Sequence, residues 1–211
     1  MGIAERKEKQ KLEIRKLILD ASMKLFVEEG FDNVSIRRIA DLIEYSPTTV
    51  YLYFKDKNEI FFELDQIGFQ KMQELNKDLD TIEDPLRRLH KMGENYLRFG
   101  IENPEYYDLM FIQEAPMVKL LEMNCEWENG DAAMTRLRAT ITECMEKGLI
   151  APTSPELVSM SVWSMVHGLV SLAIRDRMDK FLPKGAPMLP VMNQSLDWLI
   201  ATLSLGGKEK G

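Results

Sequence analysis

The stretch from Ser35 to Lys57, SIRRIADLIEYSPTTVYLYFKDK, constrains this chain more than any other. It reads as two short helices with a tight bend between them. Ile36, Ile39, Ala40 and Ile43 fall at i, i+3, i+4, i+7, so one face of the first helix is apolar and Arg37, Arg38 and Asp41 point away from it. Ser35 is a ready N-cap, its hydroxyl able to accept an orphan backbone N–H. The second helix, from Pro47 to Phe54, opens with Ser46 as N-cap and Pro47 at the first helical position, where a missing N–H costs nothing. Val50 and Phe54 anchor it inward; Thr48, Thr49, Tyr51 and Tyr53 are left outward. A helix whose first turn is small and hydrogen-bonding, with basic residues nearby, suits a major groove. Periodicity alone leaves the bland alternative open, since paired amphipathic helices occur in many α-helical proteins.

The order of residues narrows this. From Ile39 to Ile60 the segment IADLIEYSPTTVYLYFKDKNEI resembles the DNA-binding signature of the tetracycline-repressor (TetR) family of transcriptional regulators, with Ala40, Ser46, Tyr51, Tyr53, Phe54 and Lys57 in register. One departure is plain: the turn position usually held by glycine is Glu44, so the turn is made with a side chain present and a carboxylate near the phosphates. The resemblance implies an all-α fold of about nine helices. An N-terminal three-helix helix-turn-helix domain (1–57) would precede a C-terminal helical domain (58–211) for ligand binding and dimerisation. It implies Arg37, Thr48 and Thr49 at base edges, and Ser35, Tyr51, Tyr53 and Lys57 on phosphates, around a reading helix opened by Ser46 and Pro47.

Charge tempers the expectation. The chain carries −7 overall, while residues 1–60 hold eleven basic and eleven acidic side chains. DNA affinity would therefore come from local placement of cations and from dimerisation. Cys125 and Cys144 have no CxxC spacing; a reducing cytoplasm and free thiols are expected, with a redox-sensing pair as the alternative. Residues 5–16 are charged throughout, which argues against a signal peptide, and no apolar run is expected to span a membrane.

The rest of the chain reads as helices. Residues 5–29 form a first one with Ile14, Leu17, Ile18, Ala21 and Leu25 as its stripe, closed by Gly30; its lysine-rich start is either a solvated face or an arm reaching DNA. Asp56, with Glu59 in a capping box, opens a fourth helix to about Asp80, with Phe61, Leu64, Gly68, Met72, Leu75 and Leu79 on one side. Lys57 then sits at its first turn, where ammonium and amides together favour a phosphate. This long helix would act as a lever on the reading unit. Further helices start at Asp84-Pro85, Asn103-Pro104 and Pro116, resume from Asp131 to Lys147, and run from Ser154-Pro155 to about Arg177 and from the 183–190 loop to about Leu205.

In the 155–177 helix, Ser161, Ser164, Gly168 and Ser171 make a seam of small residues, and the lack of a charged side implies burial from several directions. With Leu196, Leu199 and Leu203 of the last helix it would build a four-helix dimer interface; a monomer with an internal bundle is the alternative. Tyr96, Phe99, Tyr107, Met110, Phe111, Met134 and Met165 are core fillers by default. By resemblance they surround a small, mostly apolar effector, with His167 a further contact or a hydrogen-bonded core residue. His90 and His167 are the only histidines, neither has metal-ligand spacing, and no catalytic motif appears; no enzyme, metal or cofactor is expected. The reading is a homodimeric, ligand-released repressor on an inverted-repeat operator. Its runner-up is an apolar small-molecule binding protein or helical scaffold without a DNA-binding role.

Overall fold

The computed structural model of the chain describes residues 2–113, 128–183 and 185–208. Among them run nine α-helices: α1 (Ile3–Glu29), α2 (Ile36–Leu42), α3 (Pro47–Tyr51), α4 (Lys57–Leu75), α5 (Pro85–Glu102), α6 (Pro104–Phe111), α7 (Glu128–Glu146), α8 (Pro155–Ala173) and α9 (Met188–Lys208), with no strand. The helix expected from Pro116, and Cys125 with it, lie outside the described residues. The chain divides into two compact units, residues 2–68 with 105–113, and residues 69–104 with 128–208.

The first unit is built on aromatic packing. Phe26 of α1 lies 5.2 Å from Phe31 and 5.7 Å from Phe61 of α4, and Phe31 meets Phe61 edge-on at 4.9 Å. Ile18, Leu25, Ile39, Val50 and Ile60 complete the core. The stripe on α1 differs from the sequence expectation: Leu17 is exposed, and Leu19, Ser22 and Phe26 point inward instead. Ser22 is tolerated there because its hydroxyl donates to the Ile18 carbonyl at 2.7 Å.

The second unit is organised around α5, against which α7, α8 and α9 all pack. Two glycines of α5 permit close approach. A Cβ at Gly93 would stand 2.7 Å from Leu196 Cδ1, and one at Gly100 would stand 2.9 Å from Val170 Cγ2. Arg88 of α5 ties α7 through Glu143 at 2.7 Å.

Two helices end earlier than their apolar periodicity suggests. α4 stops at Leu75, not near Asp80, because Asn95 of α5 donates its side-chain amide to the Leu75 carbonyl at 2.7 Å; Leu79 is still buried, in a separate 3-10 turn. α8 stops at Ala173, not near Arg177. Asp176 takes the left-handed conformation (φ 53°), Arg177 N–H reaches back to the Leu172 carbonyl (2.9 Å) and Asp176 N–H to Ala173 (3.0 Å), a Schellman closure made without glycine.

α8 departs from expectation in one further way: it has the length and mean hydropathy (1.3) of a membrane-crossing segment, which the sequence reading did not anticipate. Its own chain covers it on one side, where Val158, Val162, Val166 and Val170 face inward, while Leu157, Met160 and Leu172 are exposed.

Leu196, expected at a dimer interface, is wholly buried within its own chain against Gly93. Leu196→Ala should therefore cost about 2–5 kcal/mol of unfolding free energy, the range for a truncated core leucine. Urea denaturation reads this directly, and a loss below about 1 kcal/mol would place Leu196 elsewhere than in the core.

Candidate nucleic-acid interface and effector-binding residues

The reading helix is locally specified. Ser35 Oγ accepts from Arg38 N–H (3.1 Å) to open α2, and Ser46 Oγ accepts from Thr49 N–H (3.1 Å) to open α3 with Pro47 in its first turn. Between them, Glu44 N–H bonds the Asp41 carbonyl and Tyr45 N–H the Ala40 carbonyl, with Glu44 at φ 59°. Glu44 thus makes a left-handed turn that glycine makes freely, at about 1 kcal/mol of conformational cost.

α3 is shorter than the expected Pro47–Phe54: it ends at Tyr51, and a turn carries the chain to Phe54. Val50 and Phe54 are buried beneath it. Thr48 and Tyr51 are exposed, Thr49 and Tyr53 half-buried, and the Thr49 hydroxyl shares a 2.9 Å hydrogen bond with Ser46 Oγ. Leu52, 78% exposed, stands beside Tyr51 on the same outward surface.

The cations around this surface have different employments. Arg38 is held by Glu29 at 2.7 Å, which raises the guanidinium pKa further. Arg15 of α1 pairs with Glu63 of α4 and lies 5.0 Å over the Phe54 ring, so one guanidinium joins α1, α4 and the end of the reading segment. Arg37 is exposed and makes no ion pair with a described residue.

Lys57, expected to hold a phosphate, is committed elsewhere. Its ammonium donates to the carbonyls of Phe31 (2.8 Å), Asp32 (3.2 Å) and Val34 (3.1 Å) and sits 4.4 Å over the Phe31 ring. Three carbonyls absorb all three N–H donors. The amides of the first turn of α4 are also occupied, since Asp56 Oδ1 accepts from Asn58 and Glu59 N–H (2.8 and 3.0 Å). Glu59 reaches back to Lys55 N–H rather than to the cap itself. Lys57 therefore fixes the α1–α2 connection to α4.

The expected effector residues fall into two groups. In the second unit, Tyr96 OH lies 3.1 Å from His167 Nδ1, and Trp163 Nε1 donates to Tyr96 OH at 3.3 Å, with the Trp163 and His167 rings 5.5 Å apart. Burial, and then Arg175, lower the His167 pKa, which favours the neutral imidazole as the acceptor for the Tyr96 proton. Phe99 is fully buried in the same unit; Met134 and Met165 are half-buried. In the first unit, Tyr107 and Met110 are buried, and Tyr107 packs on Phe111 with ring centroids 5.3 Å apart.

The sequence reading missed two residues. Trp163 has no role in the sequence reading, although its i, i+4 spacing from His167 marks a shared helix face. Asp65 was passed over although it lies on the apolar stripe of α4. It is 2% exposed, its Oδ1 has no hydrogen-bond partner among the described residues, and burial pushes its carboxyl up to about 7. A raised carboxyl pKa means stability is lost as pH climbs from the ordinary carboxylate range through 7. Cys144 is buried, with its thiol pushed up to about 11 by burial, and so is an inert core thiol at neutral pH. Among the described residues no cluster of His, Cys, Asp and Glu could hold a metal ion.

Of the dimer candidates, Ser161 and Ser164 are exposed, Gly168, Ser171, Leu199 and Leu203 half-buried, and a Cβ at Gly168 would meet nothing. Trp198, 66% exposed, is a large apolar residue that α9 turns outward.

Residues 18–64 match the family described as bacterial regulatory proteins, tetR family, and residues 89–203 match the tetracyclin repressor-like C-terminal domain. The HTH-type transcriptional regulator YhgD of Bacillus subtilis is 23% identical over 74% of this chain and 82% of its own. The ketosteroid transcriptional regulator KstR2 of Mycobacterium tuberculosis shares the fold at TM-score 0.71 and 19% identity, over 90% of this chain and 94% of that one. AibR, solved with isovaleryl coenzyme A and operator DNA, superposes at TM-score 0.64 and 16% identity over 90% and 97%.

Substituting Lys57 by Met should cost about 1.5–3 kcal/mol, the range for hydrogen bonds to a charged group. Chemical denaturation of the variant tests the assignment: an unchanged midpoint would mean the ammonium is not holding the Phe31–Val34 turn.

Proposed function

Because this chain belongs to the tetR family of bacterial regulatory proteins, and is a DNA-binding transcriptional regulator, we propose that it is an effector-released repressor. It acts in the cytoplasm as a homodimer on an inverted-repeat operator, by binding rather than by catalysis. One observation carries the reading: a Ser46-capped, Pro47-started helix is pinned from beneath by Val50 and Phe54 and turns Thr48 and Tyr51 outward. We draw the reading head as residues 1–57 and the effector-binding and dimerising part as residues 58–211.

In this reading α3 enters the major groove. Arg37, Thr48 and Thr49 meet base edges; Ser35, Tyr51 and Tyr53 hold the phosphates, with Ser46 and Pro47 fixing the helix entry. Lys57 supports the head from inside. Support for Arg37 comes from its exposure and its lack of an acidic partner among the described residues, in contrast to Arg38. A head of neutral charge gains affinity by being paired, because two half-sites bound together raise the effective concentration of the second.

The dimer surface is formed by the outward side of α8 (Leu157, Met160, Ser161, Ser164, Gly168, Ser171, Leu172) and of α9 (Trp198, Leu199, Leu203). Exposed apolar residues clustered on two neighbouring helices favour this over a solvent-facing surface. A small, mostly apolar effector is received by one of two sets of side chains, Tyr96, Phe99, Met134, Met165 and His167 in the second unit or Tyr107, Met110 and Phe111 in the first. It releases DNA by binding more tightly to the state in which the two heads are wrongly spaced. AibR, caught with both a ligand and operator DNA, is a precedent for both partners in this fold.

Arg37→Ala should lose about 1–3 kcal/mol on the preferred duplex and relax the base preference, whereas Tyr51→Phe should weaken all duplexes alike. Fluorescence anisotropy against the inverted repeat upstream of its own gene, with point-changed variants and a salt series, separates the two. Equal losses on every duplex for both variants would break the role assignment. Trp198→Glu should convert a dimer to a monomer in sedimentation velocity and lower operator affinity together with it; a variant that keeps its partner would move the interface elsewhere.

A further inference from the structure

We propose that the effector carries an ammonium group and that Asp65 is its anchor, an inference that rests on the reading of this chain as an effector-responsive regulator. Asp65 lies on α4 with Phe61 one turn before it and Phe69 one turn after it, both buried. It is itself 2% exposed, and its Oδ1 has no hydrogen-bond partner among the described residues. Burial pushes its carboxyl up to about 7. A buried carboxylate without a partner is costly, and folded proteins keep such groups where a function needs them.

The surroundings select the partner. A metal ion would need further oxygen, nitrogen or sulfur ligands, and among the described residues no such cluster exists. An organic cation needs one carboxylate and an apolar, polarizable lining. Three residues along α4, a Cβ on Gly68 would come within 3.1 Å of Met110 Cγ and 3.3 Å of the Tyr106 ring. Glycine there leaves α6 leaning directly on α4 with a flexible thioether and an aromatic face. A thioether can swing aside, and an aromatic ring attracts a cation. The ligand is therefore a primary or secondary amine on an apolar body, its N–H groups donating to the carboxylate and its carbon skeleton displacing the Met110 side chain.

The position also explains why such a ligand would be felt by the head. Phe61, one turn from Asp65, is part of the aromatic cluster with Phe26 and Phe31. Glu63, on the intervening turn, holds Arg15 over the Phe54 ring. An ammonium seated at Asp65 makes the carboxylate state favourable and acts on the segment of α4 that carries both contacts.

The test uses matched probes on the full-length protein: adamantan-1-amine with adamantan-1-ol, 4-phenylbutylamine with 4-phenylbutan-1-ol, and octylamine with octan-1-ol. In calorimetric titration at pH 8, at least one amine should bind tenfold or more tightly than its alcohol, and Asp65→Asn should abolish that preference. At pH 6 the free carboxyl is largely protonated, so binding the ammonium should release close to one proton to the buffer, read from the dependence of the enthalpy on buffer ionisation. At pH 8.5 the release should vanish. Proton release by the unsubstituted protein keeps the test sound should Asp65→Asn fold poorly. The proposal is overturned if no amine outbinds its alcohol, if the preference survives Asp65→Asn, or if no proton is released at pH 6. Anisotropy on the inverted-repeat duplex, run beside it without probe, reports separately: protein that binds DNA but shows no amine preference sinks the anchor alone, and protein that binds no duplex sinks the regulator reading.

Discussion

The burial of Val50 and Phe54 beneath a helix of five residues is what the remainder of the first unit serves. A helix that short has no stability of its own, since nucleation consumes more conformational entropy than one turn of hydrogen bonds returns. Its orientation is borrowed. Val50 and Phe54 fix the side it lies on, and the Ser46 and Ser35 caps fix where the two helices begin. Arg15, stacked over Phe54 and paired with Glu63, ties the end of the reading segment to α4. Lys57 then ties α4 to the turn that precedes α2. Each contact crosses between elements that are separately too weak to hold position, so the reading surface is a property of the assembly of α1, α2, α3 and α4.

Two carboxylates two residues apart on α4 show how this helix divides its labour. Glu63 is half-exposed and paired with Arg15, an arrangement that gains Coulomb energy while water still solvates part of both groups. Asp65 is buried, and its Oδ1 has no hydrogen-bond partner among the described residues to offset desolvation. One stabilises the head as it stands. The other leaves α4 holding free energy that a partner could release, and a helix that leaves the DNA-reading unit is where such a reserve can be put to use. The same logic applies to Glu44. Its left-handed turn is closed by a full Schellman pair, which offsets a backbone cost that glycine would not incur and leaves a carboxylate on the exposed side.

Beginnings of helices were legible in the sequence, and so was the ending that Gly30 closes; the endings of α4 and α8 were not, and the reason is chemical. Ser35, Ser46-Pro47, Asp84-Pro85 and Ser154-Pro155 announce themselves because a cap is made by the residue's own side chain. The end of α4 is made by Asn95, twenty residues away, and the end of α8 by a left-handed aspartate where the eye seeks glycine. The same limit applied to the site. Arg37, Thr48 and Tyr51 could be placed outward from periodicity, because local geometry decides it. The position of Lys57 in the family signature suggests a phosphate ligand but says nothing about where a flexible four-carbon stem will turn, and three backbone carbonyls claim it. Asp65 could have been found: an acid where the 3.6-residue pattern demands an apolar group is a signal in itself.

Leu196 and Trp198 mark the other kind of ambiguity. A helix apolar on more than one side has a periodicity that cannot say which side meets its own chain. α9 resolves it through α5, where Gly93 offers a recess that Leu196 fills, and the rotation this imposes turns Trp198 outward. On α8 the glycine at 168 has open space where a Cβ would stand, unlike Gly93 and Gly100, which are filled from within the chain. A glycine costs a helix up to about 1 kcal/mol relative to alanine. Gly93 and Gly100 offset that cost by close packing inside the subunit. Gly168 has no such return within the subunit, and it shares α8 with the exposed Leu157, Met160 and Leu172. Close approach of a second backbone is the arrangement in which that glycine recovers its cost, and the same approach would remove the apolar side of α8 from water.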